Sequence, residues 1–201
     1  MTVTEYIKQN NGERGFSFEV LPPLKGNGTE ALFRTIDKLA VFNPGFINIT
    51  THHSEYIYRE LKNGQFERLR VRRRPGTVAI AAAIQQRYNI PVVPHVICSG
   101  MTIEDIELLD LQFLGIQNLM LLRGDKAKED SRFTPTPGGH AHTTDLIEQV
   151  VRFNNGTFAD GTTIKHPGTK FEFGVASYPE KHEEAPNLER DMEYLKQKQE
   201  L

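Results

Sequence analysis

The chain has 201 residues, of which 38% are hydrophobic and 25% charged, a balance typical of a folded protein rather than a disordered one. The formal charge of −2 excludes an overall electrostatic bias toward nucleic acid or an anionic membrane. A single cysteine, Cys98, excludes an internal disulfide framework. The first 15 residues lack a secretion signal, and no apolar run reaches the roughly 20 residues that span a bilayer. We therefore expect a soluble, cytoplasmic protein.

Short apolar runs alternate with helical patterns along the chain. The predicted strands are GFSFEV at 15–20, FINIT at 46–50, IPVVPHVIC at 90–98, NLMLL at 118–122 and KFEFGVASY at 170–178. The predicted helices lie at 29–42, 77–88, 102–115, 143–154 and 187–201. The third of these helices is expected to begin at Thr102, with Asp105 completing a pattern that resembles a capping box.

Alternation of strands and helices implies parallel pairing and right-handed crossovers, hence an α/β fold. Two architectures fit: an open, doubly wound sheet, or the first five units of a (β/α)8 TIM barrel. The sequence ends at Leu201 inside an amphipathic pattern with no Gly or Pro stop signal. That ending favours the barrel, with residues 1–201 forming a single domain that is incomplete at its C-terminus.

Residues that can hydrogen-bond or ionise lie toward the carboxyl end of every predicted strand or just beyond it. Because the carboxyl ends of parallel strands meet at one edge of a sheet, these residues are expected to form one binding site. They are Glu19, Thr50, Thr51, His52, His95, Arg123, Gly124, Asp125, Ser177, Tyr178, Glu180 and His182.

Glu19 is the most informative of these residues, because it stands between Phe18 and Val20 in an apolar strand. A carboxyl group in that position is expected to be partly desolvated, which suits a general acid. The alternative is a buried structural carboxylate paired with a distant arginine.

Two other features suggest functions that the sequence does not favour. The basic segment 68–76 has no interleaved aromatic residues, so we expect a solvated loop or a contact with a missing part rather than a nucleic-acid surface. No H-x-x-x-H pattern occurs on a predicted helix, so zinc is not expected, although a metal site assembled from distant carboxylates and histidines stays open. The histidines are His52, His53, His95, His140, His142, His166 and His182.

Four motifs in chain order give the sequence a specific resemblance. They are SFE-x-x-PP at 17–23, PH-x-x-C at 94–98, LRGD at 122–125 and YPE-x-H at 178–182. In these motifs the sequence resembles the methylenetetrahydrofolate reductases. The resemblance implies a (β/α)8 barrel that holds FAD at the carboxyl ends of its strands. It also implies reduction of 5,10-methylenetetrahydrofolate to 5-methyltetrahydrofolate by NAD(P)H through the flavin, which feeds methionine synthesis.

The same resemblance assigns roles to individual residues. Glu19 would supply the proton that opens the bridged folate, and Asp125 would lie near folate and flavin. Residues matching the family's FAD contacts are Thr50, His95, Arg123, Gly124, Asp125, His142, Thr143, Tyr178, His182, Asp191 and Lys198.

The chain also departs from the family pattern. The family often has a Tyr-Ala pair where His142 and Thr143 stand, and a tyrosine and a glycine where Thr51 and His52 follow Thr50. Three barrel strands are absent, so we expect the isolated chain to bind flavin weakly and to turn over little.

Two rival functions and two further questions stay open at this point. The rivals are a non-catalytic flavin- or nucleotide-binding module with a complete doubly wound sheet, and a metal-dependent barrel hydrolase. The sequence also leaves open the choice of NADH or NADPH and the presence of a homo-oligomer.

Overall fold

A computed structural model describes residues 1–52, 54–106, 108–126, 130–165, 168 and 170–201. The helices are α1 (Val3–Asn10), α2 (Thr29–Ala40), α3 (Thr77–Tyr88), α4 (Leu108–Phe113), α5 (Thr143–Asn154) and α6 (Leu188–Glu200). The strands are β1 (Phe18–Val20), β2 (Ile47–Ile49), β3 (Glu55–Glu60), β4 (Phe66–Val71), β5 (Val92–Ile97), β6 (Asn118–Leu122) and β7 (Glu172–Val175). Of the helices in the described part of the chain, none is long and apolar enough to cross a membrane.

The central sheet confirms the predicted α/β class. Its five strands are all parallel and lie in the order β1-β2-β5-β6-β7, so each main strand pairs with the next one along the chain. A doubly wound sheet reverses its strand order at a switch point, and this sheet contains no such reversal. The order is compatible with a section of a TIM barrel.

Helices α2, α3, α4 and α5 cover one face of this sheet. Alternate strand residues such as Ile47, Ile49 and Leu121 are fully buried on that face. They share one hydrophobic core with helix residues such as Ile36 and Ile147. Burial of this apolar surface holds the helical layer on the sheet.

The opposite face carries the polar residues, because side chains in register on parallel strands share a face. One row across this face holds Glu19, Asn48, Val93, Asn118 and Glu172, and the next row toward the carboxyl ends holds Thr50, His95, Met120 and Gly174.

Helix α1 lies at the amino end of this second face, and we did not predict it. The backbone N–H of Val3 donates to Oδ1 of Asn118 at 2.8 Å, and that of Thr4 donates to Oε2 of Glu172 at 3.3 Å. The available signal was the capping box of Thr2 and Glu5, which the structure contains.

The five predicted strands and five predicted helices are all present, but two helices differ from expectation. Thr102 and Asp105 make the two hydrogen bonds of a capping box, yet residues 103–106 form a turn, and the helix described after it spans Leu108–Phe113. The amphipathic pattern of the last helix predicted one apolar face with Leu188, Met192 and Leu195, but Leu188 is 49% exposed and Met192 54% exposed, and only Leu195 is partly buried.

The basic segment 68–76 was expected to be a solvated loop or a contact with a missing part, but its first residues belong to strand β4. Strands β3 and β4 form an antiparallel hairpin joined by a turn that contains Asn63 and Gly64. Asn-Gly between alternating residues is the strongest short-range signal for a hairpin, and it was present in the sequence. The hairpin therefore belongs to the connection that leaves the carboxyl end of β2.

Candidate active site at the carboxyl ends of the strands

Glu19, Thr50 and His95 form the first group of predicted site residues, which we call the acid triplet. The Thr50 hydroxyl donates to Oε1 of Glu19 at 2.6 Å. His95 follows in the same row as Thr50, because Ile49 pairs with Pro94. Three adjacent strands thus bring these residues together on the face that the helices leave uncovered.

Glu19 is exposed, so the expectation of a desolvated carboxyl was wrong, as was the alternative of a buried structural carboxylate. The reason is the position of β1 at the edge of the sheet. Alternation turns Val20 toward the helices, where it is buried, and turns Glu19 to the other face.

His95 is buried, with 8% of its surface exposed. Burial lowers the pKa of His95 below its ordinary value, and the nearby Glu19 carboxylate acts in the opposite direction. A neutral imidazole beside an exposed carboxylate can accept or donate one hydrogen bond without adding a second charge.

The loop after β6 places Arg123, Gly124 and Asp125 at the same end of the sheet. Gly124 has φ +80°, and a Cβ there would lie 2.8 Å from Cβ of Ser99. Because both the backbone angle and the available space exclude a side chain, glycine is required at this position. The Ser99 hydroxyl also donates to the backbone oxygen of Asp125 at 2.8 Å, and the Asp125 side chain is exposed.

Arg123, Glu184, Asp191 and Lys198 form the second group, which we call the charged cluster. Nη1 of Arg123 lies 2.6 Å from Oε2 of Glu184, and its guanidinium lies 4.7 Å from the centroid of the Phe133 ring. The hydrogen bond from Arg123 holds the pKa of the Glu184 carboxyl below its ordinary value. The arginine is therefore fixed on two sides.

Helix α6 contributes the other members of the charged cluster. Nζ of Lys198 donates to the backbone oxygen of Ala176, just beyond β7, at 3.2 Å. Burial lowers the pKa of Lys198, Asp191 raises it, and Arg123 lowers it further. Two cations thus approach each other at the carboxyl ends of β6 and β7.

The loop before α6 is tied to this cluster. The backbone N–H of His182 donates to Oδ2 of Asp191 at 2.8 Å. The rings of Tyr178 and His182 meet edge to face, with their centroids 4.9 Å apart. Tyr178 and His182 of the YPE-x-H motif therefore lie beside the charged cluster.

His142 and Thr143 lie at the start of α5, as the N-cap and the first helical residue. The backbone N–H of His142 donates to Oδ2 of Asp145 at 2.8 Å, and Sγ of Cys98 lies 3.6 Å from its backbone oxygen. Through Cys98, this helix start is joined to the end of β5. Thr51, in contrast, donates its hydroxyl to the backbone oxygen of His95, which ties β2 to β5.

Sequence reasoning missed two residues of this site, Glu184 and Phe133. Glu184 stands two positions after the YPE-x-H motif, which is the only signal that could have found it. No sequence signal identifies Phe133, because its contact with Arg123 depends on the path of the chain between β6 and α5.

The histidines do not assemble with carboxylates into a metal-binding group in the part of the chain that the structure describes. His53 and His166, which were among the candidates, lie outside the described residues. The remaining histidines are dispersed, with His95 in the acid triplet and His182 beside the charged cluster.

Comparison with known proteins identifies the class of this chain. The family model of methylenetetrahydrofolate reductase matches residues 4–200. The chain therefore belongs to the methylenetetrahydrofolate reductase family, as its motifs predicted.

Three curated relatives show the range of similarity. The chain is 29% identical to methylenetetrahydrofolate reductase 2 of Saccharomyces cerevisiae and 31% identical to methylenetetrahydrofolate reductase (NADH) 1 of Arabidopsis thaliana. It is 24% identical to 5,10-methylenetetrahydrofolate reductase of Escherichia coli strain K12. Each match includes 98% of this chain, but only 30%, 31% and 54% of the respective relative. The chain thus spans from about a third to about half the length of these relatives.

Proposed function

We propose that the chain carries the proton-donating part of an enzyme that reduces 5,10-methylenetetrahydrofolate to 5-methyltetrahydrofolate. The observation that carries this proposal is the acid triplet, in which an exposed carboxyl group is held at the carboxyl edge of the sheet. Family membership supplies the substrate class, and the position of the site follows the rule for parallel α/β folds.

We extend the proposal to the architecture. Consecutive parallel strands with helices on one face are the arrangement of a (β/α)8 barrel. In such a barrel the uncovered face of the sheet would become the interior. The acid triplet and the charged cluster would then both lie at the mouth.

The residues of the charged cluster suit FAD. Arg123 and Lys198 are two cationic hydrogen-bond donors at one end of the sheet, of the type that binds phosphate oxygens, and Glu184 and Asp191 balance their charge until a diphosphate takes the place of these carboxylates. His95, Tyr178 and His182 add ring and hydrogen-bonding groups at the same end. When bound, FAD would take two electrons from a nicotinamide nucleotide and supply them to the folate as hydride. We propose NADH as the donor, because the Arabidopsis relative bears NADH in its name.

Glu19 would provide the acid chemistry. The bridging carbon of the substrate joins two nitrogens, and it becomes an acceptor of hydride only after one carbon–nitrogen bond breaks to leave an iminium. Breaking that bond needs a proton on the leaving nitrogen, and an exposed carboxyl group at the mouth can deliver it directly or through water. The Asp125 carboxylate, at the same end of the sheet, would stabilise the positive charge that develops on the substrate.

The test is the visible absorption spectrum of the purified protein after incubation with FAD and desalting. Because weak binding is expected of this chain, the spectrum is also recorded in a titration with FAD; the bound flavin should bleach anaerobically with NADH and recover, slowly, when methylenetetrahydrofolate is added. A flavin that is reduced by NADH but never reoxidised by the folate would contradict the proposed reaction. Failure to retain flavin at any FAD concentration would contradict the cofactor assignment.

A further inference from the structure

The backbone of Thr50 is fixed in the sheet. Its N–H donates to the backbone oxygen of Val20 at 3.1 Å, which extends the ladder between β1 and β2 by one residue. A β-branched side chain in a strand has few χ1 rotamers. The Thr50 hydroxyl is therefore held at a fixed place beside the edge strand.

Glu19 lacks such constraints of its own. Its side chain is exposed on an edge strand, and an exposed glutamate samples many rotamers. The hydrogen bond from Thr50, at 2.6 Å, is short and limits this freedom. It also holds the carboxylate near His95, whose ionisation responds to the charge on Glu19.

We propose that Thr50 is a positioning residue for the acid, because its hydroxyl holds the Glu19 carboxyl group in the orientation for proton delivery. This inference rests on the proposed function. It differs from the role that family resemblance gives to Thr50, which is contact with the cofactor.

A hydroxyl is well suited to this task. It donates to an ionised carboxylate and accepts from a protonated one, so the contact survives both states of the acid. A lysine or arginine would stabilise only the ionised carboxylate and would therefore oppose its protonation. Threonine thus keeps the geometry constant through a proton-transfer cycle, and preorganised geometry is a main source of rate enhancement.

The test compares Thr50→Val, which keeps the shape of the side chain and removes the hydroxyl, with Thr50→Ser, which keeps the hydroxyl. Thr35→Val is the matched control, since Thr35 lies on α2 and donates only to the backbone oxygen of Ala31 among its described contacts. The same chemical change is thus made at the site and away from it.

The first measurement needs no flavin. The pKa of His95 is followed by NMR of the protein without cofactor. Burial lowers that pKa and the Glu19 carboxylate opposes the decrease, so release of Glu19 should lower it further. We expect a downward shift in Thr50→Val, in the direction set by Glu19→Gln, and no shift in Thr50→Ser or Thr35→Val. An unchanged His95 in Thr50→Val would overturn the inference.

The second measurement separates the two half-reactions of the flavin-loaded protein. In Thr50→Val we expect reoxidation by methylenetetrahydrofolate to slow by about tenfold or more, because the acid is misplaced. The Kd for FAD and the rate of flavin reduction by NADH should stay at the wild-type value, and Thr50→Ser should restore reoxidation.

The outcomes separate this inference from the proposed function. A higher Kd for FAD or slower reduction by NADH in Thr50→Val would overturn the inference in favour of a cofactor contact. A wild-type protein whose reduced flavin does not react with the folate would overturn the proposed function. In that case the His95 measurement still decides whether Thr50 holds Glu19.

Discussion

The acid triplet and the charged cluster lie at the same edge of the sheet but are built in different ways. Glu19, Thr50 and His95 come from strands or from the residue that directly extends one. Arg123 and Glu184 come from loops, and Lys198 comes from the last turn of α6. The backbones of the first group are therefore fixed by strand ladders, whereas the second group is held by contacts that its side chains make between loops and α6.

This difference changes how each group responds to a perturbation. The backbone of a residue on a strand keeps its place when a neighbouring side chain is altered, because the main-chain hydrogen bonds remain. The Arg123 guanidinium, in contrast, depends on Glu184 and Phe133 for its position. We expect substitutions in the acid triplet to change the reaction rate with little effect on stability. Substitutions in the charged cluster should change both the rate and the stability.

The largest effect is expected from Glu19→Gln, which keeps the size of the side chain and removes the transferable proton. Loss of a general acid typically costs 10²- to 10⁴-fold in rate, so folate-dependent reoxidation of the flavin should fall by about that factor. Reduction of the flavin by NADH and the unfolding midpoint in urea should not change. Stopped-flow absorbance and urea denaturation measure these quantities.

Glu148→Gln is the control for this change, because Glu148 is exposed on α5 and lies outside both groups. It should match the wild-type protein in every measurement. If Glu19→Gln kept the wild-type rate of reoxidation, Glu19 would not be the acid. The acid triplet would then not be the group that determines the chemistry.

The second-largest effect is expected in the loop that carries Arg123. Gly124→Ala should destabilise the protein by roughly 1–2 kcal/mol for the left-handed backbone and by about 1–3 kcal/mol more for the contact with Ser99. Gly64→Ala is the matched control, since Gly64 has φ +79° with nothing within 4 Å of the added Cβ. It should show only the first loss in urea denaturation. Equal losses in the two variants would contradict the steric role of Ser99.

The same contrast explains which parts of the site could be predicted from sequence. Strand alternation and the rule that ligands bind at carboxyl ends placed Glu19, Thr50 and His95 together correctly. They did not give the exposure of Glu19, because the sequence alone did not identify β1 as an edge strand. Edge position depends on the strands that surround it, which is information from tertiary structure.

The contacts of the charged cluster were less predictable, because they join residues that are distant in sequence through loops. Arg123 and Glu184 are 61 positions apart, and no local pattern pairs them. Two overlooked features, Asn63-Gly64 in the hairpin and the capping box of α1, are local patterns and not long-range contacts. They were present in the sequence and would have predicted both elements.

The smallest effect is expected from Glu184→Gln, which tests whether the charged cluster depends on its side-chain pairs. The Glu184 side chain is 41% exposed, so its pair with Arg123 should contribute only about 0.2–1 kcal/mol to stability. Because Arg123 holds the pKa of Glu184 below its ordinary value, this contribution is present at neutral pH and is lost as the pH falls below about 4.5. Urea denaturation at pH 7 and at pH 3 should show a difference between wild type and variant that shrinks at the lower pH. Glu183→Gln, at an exposed neighbour, should show no such difference. A difference that stayed constant with pH would mean that Glu184 acts through packing rather than through its charge.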